Sequence, residues 1–404
     1  MASAFKTNVA SNLIATLSSI LTPIITLPIL TSSMGLEDYG IYVALLSKVA
    51  IIVVLTDLGL GMYIPNKISV NRENRSEITA FTSTYFHIKI FLGLLLSLIN
   101  GLFPGELNSV DNLVLSAIIL SQALDLAPVF NGLERYKILA IIQTLVRIIF
   151  LLAVLFVDFG SNGLLKALCL QLVVVGLIAI IQIYFLRSEL KSIFFVDFYR
   201  IKVCLSESKD YYFSRLTINL YQQGSTYLAS FFLTNQQLSI YSIAVQFYKI
   251  GALAIGAVSR VLYTKVVYDL KHNIIIDSMR VSGVLYVIGG FLAVILGKQI
   301  LDFIFSFDVE YLYAICLVFY FSLSMSLVSS FLGYPLLAPI GKEKYAHIGI
   351  YITSIAYFSS MLLFYIFDCM TILTFSLAIL ISDVFSAISR LYFFLKFKHL
   401  YNRP

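Results

Sequence analysis

The chain has 404 residues, of which 59% are hydrophobic and only 12% charged, with a formal net charge of +6. A mean hydropathy of +0.91 excludes an ordinary water-soluble domain, which needs far more charge to cover its surface. Four scattered cysteines, Cys169, Cys204, Cys316 and Cys369, have no CxxC pairing or ligand spacing and exclude a disulfide framework and a zinc site.

The opening MASAFKTNVASN carries one Lys and leads into an apolar run without a small-residue cleavage site, so it reads as the approach to a first span. Windows of about 19 residues predict spans over 9–30, 40–63, 79–102, 112–131, 138–157 and 164–186, then 211–233, 239–262, 281–304, 311–333, 346–367 and 371–394. Each is long enough to cross a hydrocarbon layer of roughly 30 Å. Trp is absent, so an interfacial aromatic belt falls to the 26 Tyr and 32 Phe. The longest connection, 187–210, holds five Lys and Arg and divides the chain into 1–186, a linker and 211–404, each outer part with six spans.

Lys and Arg resist translocation and collect on the cytoplasmic side. With the N-terminus inside, the inner segments hold nineteen of them and the outer loops only Lys298, while Glu37, Asp38, Glu106, Asp111, Asp308 and Glu310 face outward. Both termini are therefore expected in the cytoplasm, with no folded domain outside the membrane. The seventh predicted span echoes the first: Arg215, Asn219 and Thr226 repeat the spacing of Asn8, Asn12 and Ser19, and Leu-Thr followed by Ile-Tyr recurs after both.

Eight cations fall in or at the ends of spans: Lys48, Lys89, Arg147, Lys166, Arg215, Lys249, Arg260 and Arg390. Four acids do the same: Asp57, Asp125, Asp210 and Asp383. A charge at mid-bilayer costs roughly 2.5 to 3.5 kcal/mol on insertion scales, so such groups face a protein interior or a watery cavity. The excess of cations suits an anionic ligand. Arg215, Asn219, Gln222 and Thr226 follow i, i+4, i+7, i+11 spacing and predict one polar stripe, which would line a cavity or seam two helices together. Lys249 and Arg260 share a face of the eighth span, where Arg260 can also snorkel to the interface. Asp57 with Lys89, Asp125 with Arg147, and Asp383 with Arg390 are candidate structural pairs; the three acids are equally candidates for ion coupling. His87 and His347 read as polar helix contacts. No phosphate loop, HExxH or GxSxG occurs, and nothing in the sequence calls for catalysis or a cofactor.

The stretch 27–61, LPILTSSMGLEDYGIYVALLSKVAIIVVLTDLGLG, resembles the opening of bacterial O-antigen and polysaccharide flippases, the Wzx family. The resemblance rests on Pro28, Thr31, Gly35, Tyr39, Gly40 and the run Asp57 to Leu60. Asn131 to Glu134, Ile240 to Ala244 (IYSIA), and Gly341 with Lys342 extend it. It implies an all-α membrane protein with two six-helix bundles around a central cavity, working by alternating access in a bacterial inner membrane. The implied cargo is an oligosaccharide on undecaprenyl pyrophosphate, moved from the cytoplasmic to the periplasmic leaflet, with ion coupling. A polysaccharide polymerase and a chain-length regulator would be its partners beside membrane lipid; nucleic acid would not.

On this reading Arg215 and Lys249, with Lys48, hold the pyrophosphate, Arg147 and Arg260 are further substrate-binding cations, Asn219, Gln222 and Gln223 are sugar partners, and Asp57, Asp125 and Asp383 are the candidates for ion coupling. A multidrug exporter of the same superfamily would favour acids in its cavity. A membrane polymerase or glycosyltransferase would need a sizeable outer loop or a carboxylate motif such as DxD, which is absent.

Overall fold

A computed structural model describes the backbone of residues 2–103, 105, 107–190, 198–269 and 273–402, and side chains throughout these except 2–17, 19–20, 210, 213–215, 217–222, 260–269, 273–275 and 401–402. The described chain is helical throughout, and among the described residues ten segments are long and apolar enough to cross a membrane. One of them, Leu21–Asp57, holds two predicted spans, because helix α1 (Ala2–Asp57) breaks at Gly35, whose φ of 80° and ψ of 162° are not helical.

Two compact units divide the chain at Gly224. The first contains α1, α2 (Leu60–Val70), α3 (Arg75–Leu102), α4 (Ser109–Ala123), α5 (Ala127–Gly132), α6 (Tyr136–Phe156), α7 (Gly163–Phe185) and α8 (Phe198–Gln222). In it α1 packs on α6, α4 on α3 and α7, and the short α2 on α5 and α8. Leu60, Ile64 and Ile68 recur every four residues on α2 and are fully buried. They join Tyr85, Leu126 and Phe130 in one apolar cluster. Burying such a side chain contributes about 1.5–3 kcal/mol where water is the alternative.

After α9 (Gly224–Ala229), the second unit is built from α10 (Asn235–Asp269), α11 (Asn273–Ile304), α12 (Glu310–Leu332), α13 (Tyr334–Leu337), α14 (Glu343–Ile366) and α15 (Ile372–Phe397). Here α12 and α15 form the centre, with α10 and α11 against α12 and α14 against α15. The units share one local device. A spanning helix stops, and a short helix with Pro in its first turn follows, α5 with Pro128 and α13 with Pro335. A residue of positive φ, Glu134 or Gly341, then turns the chain. Pro suits a first helical turn because its missing N–H would be unsatisfied there anyway.

The predicted span 211–233 is not one helix. Its first part is the distal half of α8, which ends at Gln222, and a turn at Gln223 separates it from α9. Arg215, Asn219 and Gln222 therefore share a helix, but Thr226 does not continue their stripe.

Candidate functional site

The first unit contains a cavity of about 340 Å³ where α1, α3, α4, α5 and α8 meet. Its geometry begins with a backbone turn. Leu58 and Gly59, both with positive φ, end α1 and start α2 in a new direction. That turn leaves Asp57 just ahead of α2, where its Oδ1 accepts the Gly61 N–H at 3.2 Å. The first N–H groups of a helix lack intrahelical partners, and a carboxylate satisfies one while complementing the dipole.

Asp125 plays the same part before α5. Its Oδ1 accepts the Ala127 N–H at 3.0 Å and the Gln182 amide N–H at 2.9 Å. Gln182 is fully buried and its own Oε1 accepts the Leu126 N–H at 2.7 Å. Tyr85 closes this end by donating to the Asp125 carbonyl at 3.3 Å. Lys89, 3% exposed, donates to Thr56 Oγ1 at 2.9 Å and lies 5.9 Å from the centre of the Tyr85 ring. Gln122, Asn131 and Tyr212 complete the polar lining. Two carboxylates, one ammonium, two amides and two tyrosines thus converge, a mixed set of donors and acceptors.

The second unit has a polar seam where α10, α12 and α15 pack. Asp383, 4% exposed, accepts hydrogen bonds at Oδ2 from Tyr248 at 2.6 Å and from Ser322. One helical turn on, Ser386 bonds Ser329 at 2.7 Å, and Arg390 donates to the Ser329 carbonyl at 2.8 Å and its hydroxyl at 2.6 Å.

Asp57 and Asp125 come together in one cavity, joined by Lys89; Asp383 lies in the seam of the other unit. Arg147 donates to Ser18 Oγ at 3.0 Å, tying α6 to α1, and Asp125 takes its hydrogen bonds from Gln182 and Ala127. Lys48 is half-buried on α1 and Lys249 half-buried on α10. Lys48 makes no hydrogen bond or ion pair with a described residue. The side chains of Arg215, Asn219, Gln222 and Arg260 lie outside the described residues.

Sequence reading missed Gln122, Asn131 and Gln182, because none belongs to a polar stripe headed by a charge such as the one that marked Asn219 and Gln222. A signal existed for two of them: Gln122 precedes Asp125 by three residues, one helical turn, and Asn131 opens a motif that carries the family resemblance.

No curated protein sequence matches the chain. Solved structures do. An inward-facing multidrug resistance MATE family transporter of the MOP superfamily matches with a TM-score of 0.72 and 13% identity, over 94% of this chain and 95% of that one. Lipid II flippase MurJ, in an inward closed conformation, matches with a TM-score of 0.73 and 15% identity, over 94% and 87%. The Vibrio cholerae MATE transporter VcmN matches at 0.61 and 13%, over 99% and 98%. At such identities the likeness establishes the fold, that of MOP superfamily transporters. The sequence profile of one family, described as polysaccharide biosynthesis protein, matches residues 5–263, well over half of the chain. This all-helical, multi-pass membrane protein with a MOP transporter fold therefore belongs to the polysaccharide biosynthesis protein family.

Proposed function

We propose that the protein is a flippase that carries a lipid-linked oligosaccharide, built on undecaprenyl pyrophosphate, from the cytoplasmic to the periplasmic leaflet of a bacterial inner membrane. The observation that carries this reading is the pairing of a polysaccharide biosynthesis profile over residues 5–263 with a fold shared over 94% of the chain with a lipid II flippase. The chemistry agrees. A pyrophosphate needs cationic donors in a medium of low dielectric, and the spans hold more cations than acids.

Lys48, Arg215 and Lys249 are the cations assigned to the pyrophosphate, with Arg260 nearer the membrane surface. Arg147, already committed to Ser18, is better suited to holding α6 on α1. Asn219 and Gln222 stand beside Arg215 on α8 as sugar donors. Asp383 is the strongest coupling candidate, since it is buried and bound only by hydroxyls among its hydrogen-bond partners Tyr248 and Ser322. Asp57 and Asp125 already cap helices. A multidrug exporter shares the fold, but the family and the cation excess favour a phosphorylated cargo.

The test measures membrane abundance and surface polysaccharide together in charge-removing variants. Arg215→Ala and Lys249→Ala should remain in the membrane and lower surface polysaccharide at least about tenfold, a loss on the scale of one charge-assisted hydrogen bond or more. Arg215→Lys should retain part of the activity, because it keeps the charge and loses the bidentate geometry. Normal polysaccharide from normally abundant alanine variants would remove the site.

A further inference from the structure

The cavity of the first unit has binding capacity that helix capping leaves unused. Asp125 commits Oδ1 to Ala127 and Gln182, while its Oδ2 has no partner among the described residues. The side-chain amides of Gln122 and Asn131 also make no hydrogen bond with a described residue, and both line the cavity. Asp125 and Asn131 are exposed into this space although the neighbouring Leu126, Val129 and Phe130 are fully buried.

The lining discriminates among ligands. An anion would meet two carboxylates, Asp57 and Asp125. A metal ion would share the wall with the Lys89 ammonium, and among the described residues no cluster of three or more His, Cys, Asp or Glu suits a metal. A neutral molecule with many hydroxyls fits both halves of the set, because each hydroxyl donates to a carboxylate and accepts from an amide or ammonium. Tyr212, half-buried in the lining, brings an aromatic ring suited to the C–H side of such a molecule. The volume of about 340 Å³ lies at the lower end of small-molecule pockets and holds a sugar ring.

We propose that this cavity is a sugar subsite, which binds an uncharged, hydroxyl-rich ring of the lipid-linked cargo apart from the cations that hold its pyrophosphate. The assignment rests on the flippase reading and adds to it where the glycan is recognised. Sugar hydroxyls donate to Asp125 Oδ2 and accept from the amides of Gln122 and Asn131. Asp57 and Lys89 close the inner wall. The cavity sits at the breaks between α1 and α2 and between α4 and α5, whose ends lead into the basic segments that the flippase reading assigns to the cytoplasm, where the cargo loads.

Two probes separate the sugar from its carrier: the lipid-linked glycan extracted from the source cells, and undecaprenyl pyrophosphate without sugar. The purified full chain should bind the glycan lipid about tenfold more tightly than the bare lipid, the margin expected of a few hydrogen bonds. Gln122→Ala and Asn131→Ala remove amides with no described partner, so the fold should tolerate them. Each should leave bare-lipid affinity unchanged and lose most of the margin, and the double variant all of it. Equal binding of both lipids by the unaltered protein, a margin that survives in the double variant, or an equal loss for both lipids would overturn the subsite. Failure to bind the bare lipid as well as the glycan lipid would instead overturn the flippase reading, and the subsite with it.

Discussion

Gly59 is required twice over. Its φ of +78° lies where only glycine rests without strain, and a Cβ there would stand 2.4 Å from the Ser208 carbonyl oxygen and 2.6 Å from the Tyr212 nitrogen. Both are backbone atoms of α8, so no side-chain rotation relieves the clash. Ser208 seals the contact by donating to the Leu58 carbonyl at 2.9 Å. Gly132 admits α2 in the same way, with Ile68 Cβ at 2.9 Å and Pro65 Cα at 3.0 Å. Gly59→Ala should therefore destabilise the protein by about 1–3 kcal/mol from overpacking, with added strain from the backbone. Gly132→Ala, whose φ is ordinary, should cost less. Thermal unfolding in detergent checks the order; an unchanged melting temperature for Gly59→Ala would mean that α8 is not seated there. The run Asp57 to Leu60 was legible in the sequence as a motif, but its cause was not, because Ser208 lies 150 residues away.

Helix α8 shows how an element escapes hydropathy. Its first half is polar, and windows detect only the part after Asp210. Yet Ile201, Cys204, Leu205 and Ser208 recur at three- and four-residue spacing and turn toward the apolar cluster around α2. The flank of that face, where Arg200 and Glu207 stand two turns apart, is held by charge. Arg200 grips Glu77 of α3 with two bonds of 2.9 and 2.8 Å, and Lys67 of α2 pairs with Glu207 at 2.8 Å. Glu207 also accepts from the Tyr63 hydroxyl at 3.0 Å. The Lys67 hydrogen bond, then the Tyr63 hydroxyl, hold the Glu207 carboxyl below its ordinary value of 4.5. A depressed carboxyl stabilises the folded state fully above its unfolded value, and the benefit disappears as pH falls through the folded one. Melting temperature followed from about pH 7 to about pH 3 should thus fall more steeply in the unaltered protein than in Glu207→Gln. The difference should be small, since both side chains are part-exposed and screened by water. Parallel slopes would show that the pair does not hold α8 on α2.

For the whole molecule, the sequence was most informative where lipid is the solvent. A spanning helix must satisfy its backbone internally and stay apolar over about 20 residues, so each crossing announces itself without reference to any other part of the chain. Breaks inside a crossing stay hidden: the end of α1 and the start of α2, α4 and α5, and α8 and α9 each read as one apolar run. The candidate site was legible only in its charges. Asp57 and Asp125 stood out, but their shared cavity depends on the Leu58–Gly59 turn and on Gln182 of α7, neither of which has a local signature.

Orientation is a property of the whole chain too, and a native residue can test it. The sequence expectation, nineteen Lys and Arg on one side against Lys298 on the other, predicts that the turn between α14 and α15 lies outside the membrane. Cys369 lies in that turn and is exposed. The other thiols compete poorly for a charged, membrane-impermeant maleimide. Cys204 is buried, and burial pushes its thiol above the ordinary range, away from the reactive thiolate. Cys169 lies within the α7 span and Cys316 within α12, where an aqueous reagent does not partition. Spheroplasts treated with the reagent should therefore label the protein at once, and Cys369→Ser should abolish the signal. Labelling of Cys369 only after the membrane is permeabilised would reverse the topology and move the loading side of the cavity with it.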